Sequence, residues 1–353
     1  MKIDMHERFE SWSCGRPSGY RSTVEWMLVG VRRQGWGNLL LALLAGWSGI
    51  WIVLWIAGAA AVSGAVSGTI AALTSPGLSA SVFGETSSVL GALLGGLGGL
   101  ISGGLGALTC LVLASPQSFA VSVIGGAIFS FLVVCYLIAA ESWIMKLHGY
   151  RRLSRRESER IMPIMLVVAK RMGLTNVPEL LIEDGSSKSA AAHLQHVVLG
   201  KILIDELPDE AIAGILAHEL HHWRCGDTIG LRFVYASALP AILLYDLGAL
   251  LTKTRHGIPI LLGWVVLWPA WVIMHWVLEP VLAHRSRSTI EHECDLAAKK
   301  AGYGSGLALA LTYLGDFEGG TTGWLEVLRR THPPTELRLE ELEIESGSLE
   351  ASA

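Results

Sequence analysis

Apolar runs long enough to cross a bilayer as a helix, about 20 residues, occur at 38–62, 89–114, 118–143, 228–251 and 258–283, each with few or no charges. Polar segments of ordinary charge content separate them. The pattern predicts a mainly α membrane protein built on a transmembrane helix bundle. In the second run Gly91, Gly95, Gly99 and Gly103 recur every fourth residue, which predicts a helix face that lets a neighbouring backbone approach closely. The alternative for so glycine-rich a stretch is a re-entrant segment, because glycine lowers helix propensity.

The polar segments divide the chain. Residues 1–37 read as a cytoplasmic N-terminal tail and 38–144 as an N-terminal transmembrane region of two or three spans. Residues 145–227 read as the first half of a catalytic domain, 228–283 as a transmembrane hairpin, and 284–353 as the second half. Neither polar half alone looks able to bury a core, so the two are expected to fold together around the inserted hairpin. Within the first half, 178–182 and 196–204 read as short strands flanking an Asp184-Gly185-Ser186 turn. A helix is expected over 208–223, with proline at its start and Asp209 and Glu210 in its first turn.

Composition agrees with the pattern. Of 353 residues 51% are hydrophobic and 16% charged, and 40 are glycine, far from a soluble domain. A net charge of -4, with no basic patch interleaved with aromatics, gives no support for nucleic-acid binding. The cysteines are scattered and odd in number, without a Cys-x-x-Cys pair, so no disulfide framework is expected. Lys146, Arg151, Arg152, Arg155, Arg156 and Arg160 precede the catalytic segment, which predicts that it faces the cytoplasm. The N-terminal tail is basic too, and three crossings would set it across the membrane from the catalytic part. The expectation is therefore that the glycine-rich segment near Gly91 to Gly106 is not a simple crossing, or that the tail is external, with the catalytic domain cytoplasmic in either case. Asp246 and Glu279 lie inside apolar runs and are read as reaching water near span ends.

The candidate chemistry sits on the 208–223 helix as His218-Glu219-Leu220-His221-His222. Histidines four apart share a helical face and can reach one zinc ion, and the intervening Glu219 is placed to take a proton from a water. A hydrolytic site needs a third protein ligand. A third histidine shortly downstream is absent, since Thr228 occupies that position. Glu291-His292-Glu293-Cys294-Asp295 supplies alternatives. Glu291 and Asp295 share a face, one to ligate and one to hold a ligand histidine, while His292 is a rival ligand.

These motifs resemble the HtpX-like and CAAX-prenyl-protease-like family of membrane gluzincins, from about Arg151 to the C-terminus. The resemblance rests on Ala217 through His222 with Asp227 downstream, on Ser286-Arg287 followed by Glu291 to Asp295, and on Thr331-His332-Pro333-Pro334-Thr335-Glu336-Leu337-Arg338. It implies a gluzincin-like protease domain of helices plus a small β-sheet, holding one zinc ion through His218, His222 and Glu291. It further implies Glu219 as general base, His332 as a transition-state stabiliser, and Asp295, Asp227 and Arg338 as supports of the metal ligands. Cys294 replaces the usual alanine, and Ser189-Ala190 replaces Asn-Ala.

The expected activity is zinc-dependent hydrolysis of peptide bonds in membrane or membrane-associated proteins, by an enzyme embedded in a bacterial cell membrane. His196, Val197, Val198 and Leu199 are expected to form an edge strand that pairs with extended substrate. Competing expectations are a BlaR/MecR-like protease sensor-transducer and a non-catalytic membrane scaffold.

Overall fold

The structure is a computed structural model that describes residues 17, 20, 22–74, 87–113, 115–185, 188–278, 286–315, 335–340 and 342. Two compact units are assembled from interleaved segments, one from 1–39, 131–234 and 282–353, the other from 40–130 and 235–281.

Helices dominate. Helices α1 (Thr23–Arg33), α2 (Trp36–Trp47), α3 (Ile50–Thr74), α4 (Ser87–Leu113) and α5 (Pro116–Leu147) precede a short strand β1 (Arg151–Arg152) and helix α6 (Arg155–Arg171). Strands β2 (Glu179–Glu183), β3 (Ala190–Ala192) and β4 (His196–Gly200) follow, then α7 (Lys201–Glu206), α8 (Asp209–Cys225) and α9 (Asp227–Thr252). After α10 (Gly257–Leu261) and α11 (Trp268–Ile273), each continued by a π-helical turn, come α12 (Ser286–Lys300) and α13 (Gly304–Gly315).

Four helices have the length and apolarity to cross a membrane, at Ile50–Ala71, Val89–Val112, Pro116–Leu147 and Asp227–Thr252. A fifth candidate is the pair Gly257–Val265 and Trp268–Leu278, bent by 52°. The protein is an integral membrane protein. The first apolar run, read from sequence as one span over 38–62, is instead divided. Gly49 adopts φ 74°, Ser48 Oγ bonds the Leu44 carbonyl, and the same hydroxyl accepts the Ile50 N–H at 3.2 Å. One helix therefore ends where the next begins, a break that hydropathy alone does not register.

In the second unit the glycine face is a helix contact. A Cβ added at Gly95 would lie 2.2 Å from the Gly64 carbonyl oxygen, and one added at Gly99 would lie 2.2 Å from that of Ala60. Helix α4 is thus a continuous helix packed backbone to backbone on α3, not a re-entrant turn.

In the first unit a four-stranded sheet has the order β1-β2-β4-β3. Strand β4 pairs in parallel with β2 and antiparallel with β3. The segment read from sequence as a strand over 196–204 becomes helical at Lys201. Met145 of α5 packs with Leu181 and Val198 to bury one face of the sheet. Helix α8 is covered by α6, α12, α13, α1 and the sheet, which accounts for its almost wholly apolar run from Ala211 to Ala217. The segment assigned from sequence to an N-terminal tail also differs, because α1 is amphipathic and buries Trp26, Met27, Gly30 and Val31.

Candidate metal and active site

Helix α8 starts after Pro208, with Asp209 and Glu210 in its first turn, and stops at Gly226, whose φ of 71° gives a left-handed cap. That reversal turns Asp227, the first residue of α9, back toward the helix it has just left. His218 and His222, one turn apart on α8, bring their Nε2 atoms to 3.1 Å. Glu291, on α12, lies 3.3 Å from His218 Nε2 through Oε2 and 3.5 Å from His222 Nε2 through Oε1. The three residues form a group whose donor atoms all lie within 4.8 Å of one another.

This donor set fits zinc. Tetrahedral ligands about 2.1 Å from a common centre are about 3.4 Å apart, close to the separations found. Both imidazoles are also held from behind: Asp295 Oδ1 is 2.8 Å from His218 Nδ1, and Asp227 Oδ2 is 2.9 Å from His222 Nδ1. Each carboxylate fixes the proton on Nδ1 and leaves the Nε2 lone pair facing the third donor. Arg338 grips Asp295 with two bonds, Nε to Oδ2 at 2.7 Å and Nη2 to Oδ1 at 2.6 Å.

The electrostatics favour a cation at this point. Burial opposes protonation of His218, but its bonds to Asp295 and Glu291 outweigh burial and raise its pKa. His222 is likewise raised against burial, by Cys294, Asp227 and Glu291. Burial pushes Asp295 up, and the Arg338 and His218 bonds more than reverse this. A second group of metal-ligand type, His222, Asp227 and Cys294, is a poorer fit. It approaches His222 through Nδ1, which Asp227 already holds, and burial pushes the Cys294 thiol up to about 12. Among the described residues His292 joins neither group.

Glu219 is buried beside the histidines, and its Oε2 accepts the N–H of Ala192 at 2.7 Å. Thr228 Oγ1 donates to the Ala192 carbonyl at 2.7 Å. These contacts come from the open side of β3, which with β1 is one of the two edges of the sheet. The expectation that His196, Val197, Val198 and Leu199 form that edge is therefore corrected. Their strand is internal, and its backbone groups are taken by β2 and β3. The apolar run Val197-Val198-Leu199, buried at every position, suits a strand covered on both sides better than an edge.

The structure thus brings His218, His222, Glu291, Asp295, Asp227, Arg338 and Glu219 into one buried cluster. His332 and Glu279 lie outside the described residues. Sequence reasoning missed Ala192, which holds Glu219, and Arg33, which is bonded to Asp227 at 2.6 Å. The buried stripe of α1, with apolar residues at Trp26, Met27, Gly30 and Val31, was the available signal that residues before the first span belong to this unit.

The chain is similar to known peptidases. The model of peptidase family M48 matches residues 155–346. A protease HtpX homolog of Bacteroides fragilis is 30% identical over 109 residues, covering 30% of this chain and 33% of the relative, so the match spans about a third of that protein's length. A protease HtpX homolog of Salinibacter ruber is 24% identical over 259 residues, covering 63% of this chain and 89% of the relative. Among solved structures, Ste24p of S. mikatae aligns with a TM-score of 0.43 and 21% identity, over 68% of this chain and 62% of that one.

Proposed function

Because the chain belongs to peptidase family M48, we propose that it is a membrane-embedded zinc-dependent endopeptidase acting on membrane or membrane-associated proteins or peptides. The observation that carries this reading is the convergence of His218, His222 and Glu291, each imidazole backed by its own carboxylate, beside the carboxylate of Glu219.

His218, His222 and Glu291 would hold the ion, one zinc per chain. Bound there, zinc would supply a Lewis acid able to make a water nucleophilic near neutral pH and to polarise the scissile carbonyl. Glu219 takes the proton from the attacking water and returns it to the leaving amine. The Ala192 N–H holds Oε2 of that carboxylate and leaves Oε1 for proton transfer. Asp227 and Asp295 keep the imidazoles in the required tautomer, and Arg338 keeps Asp295 ionised and oriented. By resemblance, His332 donates to the developing oxyanion.

Strand β3 is the surface on which extended substrate pairs. In its register with β4 the Ser189 carbonyl accepts from Gly200 N–H at 2.8 Å and His193 N–H donates to His196 O at 2.7 Å. Those bonds alternate, so the N–H and C=O of Ala190 point away from β4. Backbone pairing there gives affinity with weak sequence specificity. The basic residues before α6 favour a cytoplasmic site in a bacterial cell membrane. Labelling Arg155→Cys with an impermeant maleimide tests this: protection in intact cells and labelling after opening is expected, and labelling of intact cells would reverse the orientation.

The central test is Glu219→Gln. The variant should keep its zinc and lose proteolysis by at least about a hundredfold, the scale of general acid–base catalysis. Turnover at the wild-type rate by the metal-loaded variant would refute the base assignment.

A further inference from the structure

Helix α1 docks on the metal-binding part of the molecule through four kinds of contact. Trp26 is 1% exposed, and its Nε1 donates to the Trp223 carbonyl at 3.1 Å. Gln34 Nε2 donates to the Asp227 carbonyl at 3.2 Å. The backbones cross at glycines: a Cβ at Gly30 would lie 2.0 Å from the Gly226 oxygen, and one at Gly230 would lie 2.1 Å from the Gly30 oxygen. The fourth contact is Arg33, whose Nε bonds Asp227 Oδ1 at 2.6 Å and whose Nη1 meets Glu293 Oε2 at 2.7 Å.

These contacts meet at the support of one ligand. Asp227 uses Oδ2 on His222 Nδ1 at 2.9 Å, and its other oxygen is the one Arg33 takes. A carboxylate held by an imidazole alone can still rotate about its side-chain torsions. A guanidinium on the second oxygen fixes its plane, and the rigid fork of arginine does so while reaching a second acid. That second acid, Glu293, stands on α12, the helix that carries Glu291. The two ends of the Arg33 bridge differ in environment: the Asp227 side chain is 8% exposed and that of Glu293 49%. The first bond is thus sheltered and strong, and the second is a rim contact of small energy.

We infer that Arg33 is a positioning residue of the metal centre, supplied by a helix that precedes the membrane spans: it fixes Asp227 behind His222 and ties it to the helix bearing Glu291. This rests on the metal-site reading above. It makes α1 part of the site, not a tail, and gives Arg33 a role distinct from packing, which Trp26 and the glycine crossing already perform.

The experiment uses the full-length, zinc-loaded protein in detergent and follows zinc loss to a chelator, with proteolysis as a second readout. Arg33→Met should release zinc roughly three- to tenfold faster, less than the roughly ten- to hundredfold of removing Asp227, the outer partner of His222 itself. Arg33→Lys, which keeps the charge but cannot make both bonds at once, should fall between Arg33→Met and wild type. In an Asp227→Asn background, Arg33→Met should add little, because its route to His222 is already cut. Two results overturn the inference: wild-type zinc retention in Arg33→Met, or effects of Arg33→Met and Asp227→Asn that multiply independently. If Arg33→Met does not fold, the same cycle run with Arg33→Lys decides, with undiminished retention counting against it. A wild-type protein that holds no zinc would instead overturn the metal-site reading and the inference together, whereas a zinc-holding wild type separates the two.

Discussion

Oε2 of Glu141, near the end of the long apolar helix α5, lies 3.1 Å from Nδ1 of His196, the first residue of β4. The same carboxylate accepts the backbone N–H groups of Leu194, at 2.6 Å, and Gln195, at 2.5 Å. A buried acid at the end of a membrane helix therefore caps the turn between β4 and the edge strand that holds Glu219. Glu141→Ala leaves two N–H groups and an imidazole without this partner, which should cost about 3 kcal/mol. Thermal unfolding in detergent should show a clearly lower midpoint. A midpoint equal to wild type would mean that the turn holds its shape without the cap.

His196 also faces Glu179, with Nε2 3.5 Å from its Oε2. Burial lowers the pKa of this imidazole, but the bonds to Glu141 and Glu179 outweigh burial and bring it to about 9. A pKa raised above the unfolded value of about 6.5 stabilises the fold while the group is protonated. That contribution is complete below about pH 6.5 and disappears as pH rises toward 9. Wild type should lose thermal stability across this window, and His196→Gln should show a flatter profile. Equal slopes in the two proteins would remove His196 from the account.

Glu291→Ala should lose zinc far more readily than Glu293→Ala. Glu291 is buried against both histidines, whereas Glu293 is half exposed and among the described residues reaches the site through Arg33. Metal analysis after dialysis against a weak chelator measures the order. The reverse order would move the third ligand to Glu293.

Ala190→Pro removes an N–H that points away from β4 and so spares the sheet's own bonds. If substrate pairs with β3, KM should rise by roughly two- to tenfold, consistent with one lost hydrogen bond of about 0.5–1.5 kcal/mol, with zinc content unchanged. An unchanged KM would place substrate elsewhere.

Much of this protein was legible in the sequence because the signals are local. A bilayer requires long uncharged helices, so the spans stand out in the pattern of residues. Two histidines four apart fall on one helical face wherever that helix packs, so His218, Glu219 and His222 could be chosen together. Glu291 and Asp295 were legible for the same reason. Which backbone groups remain open in a sheet is not local. The β4 sequence reads the same at an edge or in the centre, and only its pairing with both β2 and β3 shows that it is internal. Nor could a helix before the first span announce that Arg33 would meet Asp227, 194 positions away, since that contact exists only through the crossing of Gly30 with Gly226 and Gly230. Periodicity fixes which face of a helix is apolar; what that face meets is decided by packing between segments far apart in the chain.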